Sequence, residues 1–164
     1  MRCLTTSGCV RVVLALAALL GLVAVRTRSA DAGRPTPMAV VVSANCPLAN
    51  LSLYQLKHLY LGEYVSGPDG QRLVPLNRTP PERVVFDSAV LSMTADEVAA
   101  YWIDRRIRGE RGSPRAMPSG EVALRMVAHL EGAVTYVRTD EVRPGVKVVR
   151  IDGKLPTDPG YSVR

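Results

Sequence analysis

Residues 77–86 read NRTPPERVVF, and the reading of this stretch decides the fold. The apolar residues ahead of Arg78, over 72–77, read as a strand. After the two prolines, Phe86, Ala89, Val90 and Met93 fall on one face of a helix running from Pro80 to Met93. A strand that feeds directly into a helix is the repeating unit of α/β proteins. Thr79 sits at the N-cap position of that helix, and Glu82 three residues later completes a Thr-x-x-Glu capping box. Pro80 and Pro81 are tolerated in the first turn because N–H groups there have no partner inside the helix. Pro75 predicts an edge position for the strand, since it can donate nothing to a ladder.

On the N-terminal side, residues 38–43 (MAVVVS) form a continuous apolar run rich in β-branched side chains. That is the pattern of a strand buried on both faces by helices. Residues 51–64, LSLYQLKHLYLGEY, follow. Ser52 and Gln55 make a capping box, Leu51 and Leu56 stand at the two staple positions, and Leu53, Leu56 and Tyr60 form the inward stripe up to the stop at Gly62. Residues 67–70 (GPDG) are a turn.

On the C-terminal side, Thr94 and Glu97 form a third capping box, opening a helix to about Arg108 with Val98, Tyr101 and Trp102 inward. Residues 109–118 read as a loop. Ser119 caps a further helix with Ala123, Met126, Val127 and Leu130 as its stripe, and Gly132 ends it. Residues 133–137 and 146–151 read as two strands, and the tail from Asp152 shows no core pattern. The sum is a mixed α/β layer of about four strands and four helices, one sheet covered by helices.

The whole chain has 164 residues, 21 basic and 15 acidic, for a formal net charge of +6. Residues 12–25 are an apolar run flanked by Arg2 and Arg11, shorter than the roughly 20 residues a spanning helix needs. Small residues at Ala30 and Ala32 complete the pattern of an export signal over residues 1–32, cleaved after Ala32, with a single domain over residues 33–164. Arg26 and Arg28, just beyond the run, oppose translocation and leave an uncleaved N-terminal inner-membrane anchor as the alternative, the chain's only expected membrane contact. Four basic residues and one acidic residue lie in 1–32, so the remainder carries about +3. That is too small and too dispersed an excess for a nucleic-acid footprint. Beyond residue 32 only Cys46 is left, which excludes an internal disulfide there.

No constellation points to catalysis. Cys46 lies in a loop and His58 on the polar side of its helix, which is how a small apolar cysteine and a solvated histidine read. His129 has no carboxylate at metal-ligand spacing, so neither a metal nor a cofactor is expected. Arg105, Arg106, Arg108, Arg111 and Arg115 cluster at a helix C-terminus and in the loop after it. They complement the helix dipole there, and they also offer a basic contact surface for an anionic ligand or an envelope partner.

The order of these motifs resembles the phosphate-binding proteins of ABC transporters, in a short, single-lobe form. The resemblance rests on VVVS (40–43), LSLYQLKHLYLGEY (51–64), LVPLNR (73–78), Phe86, YW (101–102) and EGAVTYV (131–137). It implies one lobe of the type II periplasmic-binding fold and a periplasmic or secreted protein that binds or senses phosphate or a similar oxyanion without catalysis, linked to a transporter permease. In that family an arginine precedes a Ser-Gly-Thr at a helix N-terminus that receives the phosphate. Arg78 stands at the arginine's position and Thr79 supplies one hydroxyl, with Ser43 and Asn45 as further candidates. The Ser-Gly is replaced by proline, Glu82 competes for the helix end, and Thr135 stands where the family has the second glycine of Ala-Ile-Gly-Tyr. The alternative expectation is a ligand-free module that docks on an envelope complex through the arginine surface.

Overall fold

The structure, a computed structural model, describes residues 36–164. The export-signal reading of residues 1–32 lies outside the described residues. In chain order the elements are β1 (Met38–Ser43), β2 (Asn50–Leu51), α1 (Leu53–Tyr60), β3 (Val74–Arg78), α2 (Glu82–Phe86), α3 (Ala95–Ile107), β4 (Arg115–Met117), α4 (Gly120–His129), β5 (Ala133–Arg138), β6 (Val146–Val148) and β7 (Arg150–Ile151). Five strands form a sheet in the order β4-β3-β5-β1-β6, and β2 pairs with β7 in a separate two-stranded ladder.

Strand β3 runs parallel to both β4 and β5, whereas β1 is antiparallel to β5 and β6. The valine run of β1 is buried on both faces, as its lack of alternation predicts. Met38, Val40 and Val42 join a core with Leu56, Leu59, Phe86 and Tyr136, while Ala39 and Val41 meet Leu124 and Val137 on the other side. Each fully buried valine contributes roughly 1.5–3 kcal/mol of transfer free energy. α1 and α2 therefore cover one face and α4 the other.

Two of the three predicted capping boxes are present. Ser52 Oγ accepts from Gln55 N at 3.0 Å, and Ser52 N donates to Gln55 Oε1 at 2.9 Å. Thr94 and Glu97 make the same reciprocal pair. The helix after Arg78 departs from expectation. It starts at Glu82 with Pro81 as N-cap and no side-chain cap. Thr79 is instead drawn toward the chain leaving β4: its N–H donates to Met117 O and its hydroxyl to Pro118 O, both at 3.3 Å. Pro80 and Pro81 supply no N–H to the first turn, and the Thr79 hydroxyl turns instead to the carbonyl of Pro118, just beyond β4. α2 is only five residues long and continues as a π-helical turn, Asp87–Leu91, closed by Ser92 at φ +57°. Phe86 and Val90 still point inward.

Five further details differ from the sequence reading. β3 lies inside the sheet. Pro75 is tolerated because Val74 N donates toward β5, to Gly132 O, so the next residue faces the side where β4 pairs only from Leu76 onward. The 109–118 loop supplies β4. In α4 Leu124 is buried, whereas Met126 and Leu130 are more than a third exposed. Residues 146–151 break at Val149, whose N–H donates to Val40 O at 2.8 Å, so β6 pairs with β1 and β7 with β2. The C-terminal tail also packs: Tyr161 and Val163 are buried, Met38 N donates to Val163 O at 3.0 Å, and Tyr161 OH donates to Met38 O at 2.9 Å. Two apolar residues in a glycine- and proline-rich tail make no periodic signal, yet they close the start of β1.

Candidate functional site

Strand direction sorts the candidate ligand residues. Arg78 ends β3, and β1 runs the opposite way, so Ser43 ends β1 at the opposite end of the sheet along the strand direction. Val42 and Pro75 both pair with Val134, which puts Arg78 and Ser43 about four residue steps, or roughly 13 Å, apart along the strands. A single small oxyanion cannot touch both. Ser43 and Asn45 line a separate cleft with Cys46, Asp69, His129 and Glu131. Cys46 thus shares a cleft with His129, and His58 instead faces Glu63 with Nδ1 2.7 Å from Oε2. Among the described residues no group of three His, Cys, Asp or Glu side chains is placed to hold a metal ion.

At the Arg78 end the backbone is held from beneath by a buried polar network. Arg78 N donates to Asn77 Oδ1 at 3.0 Å and to the Tyr136 hydroxyl at 3.3 Å, and that hydroxyl in turn hydrogen-bonds Asn77 Oδ1. The Tyr136 ring stacks on Phe86 with centroids 3.7 Å apart and planes 4° from parallel. Tyr60 OH donates to Leu76 O at 3.1 Å and to Val134 O at 3.3 Å, and Thr135 Oγ1 donates to Leu76 O at 3.0 Å. Thr135, which stands in place of the family glycine, therefore ties β5 to β3. Burial pushes the Tyr60 and Tyr136 phenols well above their ordinary range, so both stay protonated donors.

The Arg78 side chain is 4% exposed and packs against the start of α4. Gly120, the first helical residue, makes this approach possible: a Cβ there would lie 2.8 Å from Arg78 Nη1 and 2.6 Å from Glu141 Oε1. Arg78 Nη2 is 3.7 Å from Glu82 Oε2, and Arg78 Nη1 is 3.5 Å from Glu141 Oε2. Neither contact is a hydrogen bond, and Nε and Nη1 of Arg78 have no acceptor. Two N–H bearing nitrogens of a buried cation are left unpaired, a costly arrangement unless another acceptor arrives. The positive end of the ten-residue α4 lies alongside, with Ser119 Oγ accepting from Val122 N at 3.3 Å.

Two carboxylates moderate that positive site. Glu141 lies on the 3-10 turn Thr139–Glu141 and accepts from Arg138 N at 3.0 Å. Glu82 opens α2. The site is thus an arginine and a helix N-terminus faced by resident acids, able to hold a small anion where one of those acids gives way. Thr79 lies beside it but spends its hydroxyl proton on Pro118 O, so it anchors the turn before α4 and has no donor free for a ligand. Asn77, Gly120, Tyr136 and Glu141 were missed by sequence reading. The only local signal among them is the Ser119 cap, which announces a helix N-terminus but not what faces it.

The arginine surface divides as well. Arg105 donates to Leu61 O and the Tyr101 hydroxyl and pairs with Glu110 at 2.8 Å, while Arg108 pairs with Asp104 at 2.7 Å and Glu110 at 3.0 Å. Arg106, Arg111 and Arg115 are exposed and make no ion pair among the described residues.

No protein-family model matches the chain, and no curated protein matches it in sequence. Solved structures do. An ABC-type phosphate transport receptor from Vibrio cholerae superposes with a TM-score of 0.58 at 22% identity, over 74% of this chain and 48% of that one. A protein described as a phosphate ABC transporter substrate-binding protein, with phosphate bound, from Clostridium perfringens gives a TM-score of 0.62 at 21% identity, over 77% and 51%. PstS from Borrelia burgdorferi gives 0.60 at 13% identity, over 77% and 53%. The chain spans about half the length of these structures. Its mixed sheet and covering helices are a fragment of the periplasmic-binding-protein fold, the fold of phosphate transporter substrate-binding proteins.

Proposed function

We propose that the chain is a non-catalytic, exported binding or sensing module that takes phosphate or a related oxyanion at Arg78. The observation that carries this reading is the buried Arg78 guanidinium, whose Nε and Nη1 have no acceptor beside the N-terminus of α4. A tetrahedral oxyanion supplies acceptors that match a guanidinium edge, and a helix N-terminus favours the same charge. The fold shared with phosphate receptors supports the ligand class, and a link to a transporter permease is part of the same proposal. Ser43 and Asn45 belong to the other end of the sheet and are left out of this site.

Titration of the full chain with phosphate and with sulfate, followed by calorimetry, tests the proposal. Saturable heat that is lost in Arg78→Gln is the expected result. No heat at millimolar ligand, either in the natural chain or after removal of the Glu141 charge, overturns it. The second reading, docking on an envelope protein through the arginine surface, retains only Arg106, Arg111 and Arg115 as free cations, and it is the weaker of the two.

A further inference from the structure

One face of α3 is apolar and uncovered. Val98 and Trp102 turn inward, and Tyr101 and Arg105 are half-buried beside them. On the outer side Ala95, Ala99 and Ala100 are exposed, and Ile103 and Ile107 are 59% and 80% exposed. Ala95, Ala99, Ile103 and Ile107 follow one another at four-residue spacing, forming a single ridge on the helix surface. The ridge is small at its N-terminal half and large at its C-terminal half.

That asymmetry is self-complementary. When two copies of α3 are laid antiparallel about a two-fold axis at residue 101, Ala99 meets Ile103 of the partner subunit and Ala95 meets the partner's Ile107. Each bulky side chain then has a small one opposite it, which is how close helix packing is achieved. The same register sets Asp96 against the partner's Arg106. Both residues are exposed, and neither is ion-paired among the described residues. The acidic first turn of α3, with Asp96 and Glu97, and its basic last turn, with Arg105 and Arg106, thereby face their opposites. An isologous contact requires this: one patch that fits itself when inverted.

We propose that α3 is a homodimer contact, formed by antiparallel pairing of Ala95, Ala99, Ile103 and Ile107 and keyed by two symmetric Asp96–Arg106 pairs. A helix of 13 residues, about 20 Å long, presents less surface than a standard interface, so the dimer is expected to be weak. The contact is independent of the anion site.

Sedimentation equilibrium of the full chain in a neutral detergent, up to about 500 µM, tests it. The natural chain should show a monomer–dimer equilibrium. Ile103→Glu should abolish dimerisation, and Asp96→Arg or Arg106→Asp alone should weaken it about tenfold or more, since each change alters two contacts across the axis. The double variant Asp96→Arg/Arg106→Asp should return to within about threefold of the natural chain, because the swapped charges again face their opposites. All three substituted positions are exposed, and far-UV circular dichroism would verify that each variant is folded. A chain that stays monomeric throughout, a dimer insensitive to Ile103→Glu, or a double reversal no better than the singles each overturns the proposal.

Discussion

Arg78 and Glu141 face each other across Gly120, with Nη1 3.5 Å from Oε2, close enough for attraction and too far for a hydrogen bond. The carboxylate therefore sits where an anionic ligand of Arg78 would sit and weakens the site's pull on any such ligand. Glu141→Gln removes that charge and keeps a side chain of the same size. A unit charge a few ångströms from the ligand, partly screened by solvent, corresponds to a roughly 5- to 30-fold change in affinity. Calorimetric titration with phosphate should show Glu141→Gln binding more tightly by that factor. Equal or weaker binding would mean that Glu141 helps to build the site.

Tyr136→Phe tests whether the polar network beneath Arg78 holds β3 in place. The substitution keeps the stack on Phe86 but removes the hydroxyl that bonds Asn77 Oδ1 and accepts from Arg78 N. Losing a buried hydroxyl of this kind costs about 1–2 kcal/mol. The melting temperature should fall by roughly 4–8 °C for a domain of this size. A melting curve that overlays the natural one would show the network to be dispensable.

The parts of this fold that were legible in the sequence are the ones set by neighbours in the chain. Ser52 with Gln55 and Thr94 with Glu97 satisfy one another across three residues, and both boxes formed as predicted. The valine run of β1 states its own double burial. What could not be read is direction and convergence. Ser43 and Arg78 both end strands, and only the antiparallel placement of β1 puts them at opposite ends. Arg78, Gly120 and Glu141 meet because β3 and the 3-10 turn end, and α4 begins, at one corner. Thr79 and Glu82 matched a local rule that lost to a tertiary partner, Pro118 O. Two prolines strip the first turn of two of its N–H donors, and the hydroxyl is held instead by a carbonyl from the segment between β4 and α4.

Gly132 should be intolerant of a side chain. It has φ +71°, and a Cβ there would stand 2.5 Å from the backbone oxygen of Arg72, while its own carbonyl accepts from Val74 N. The opposing atom is main chain, two residues ahead of β3 and bridged to Ser66, so it cannot swing aside as a flexible side chain would. Gly132→Ala should cost about 2–4 kcal/mol, combining left-handed strain with a forced shift of the β3 entry. Gly70→Ala is the control: φ is +78°, but nothing lies within 4 Å, so only the conformational cost of about 1 kcal/mol applies. Thermal melts of the two variants should differ clearly, and equal losses would remove the steric part of the explanation.

Asp87 gives the fold a pH dependence on its acid side. Its side chain is buried, and Arg83 Nε lies 3.2 Å from Oδ2. Burial raises the carboxyl above its ordinary value, and the Arg83 charge and hydrogen bond offset only part of that rise. The folded chain thus holds the Asp87 proton more tightly than the unfolded chain does. Its contribution to stability grows as pH falls through the folded-state value, levels off below the unfolded value, and is unfavourable above the folded value. Asp87→Asn keeps an acceptor for Arg83 and removes the titration. Denaturant unfolding from pH 7 down to pH 4 should show the natural chain gaining stability relative to Asp87→Asn as pH falls. The variant should be at least as stable as the natural chain at pH 7. The opposite trend, with the natural chain losing ground to the variant in acid, would mean that the Arg83 pair outweighs burial.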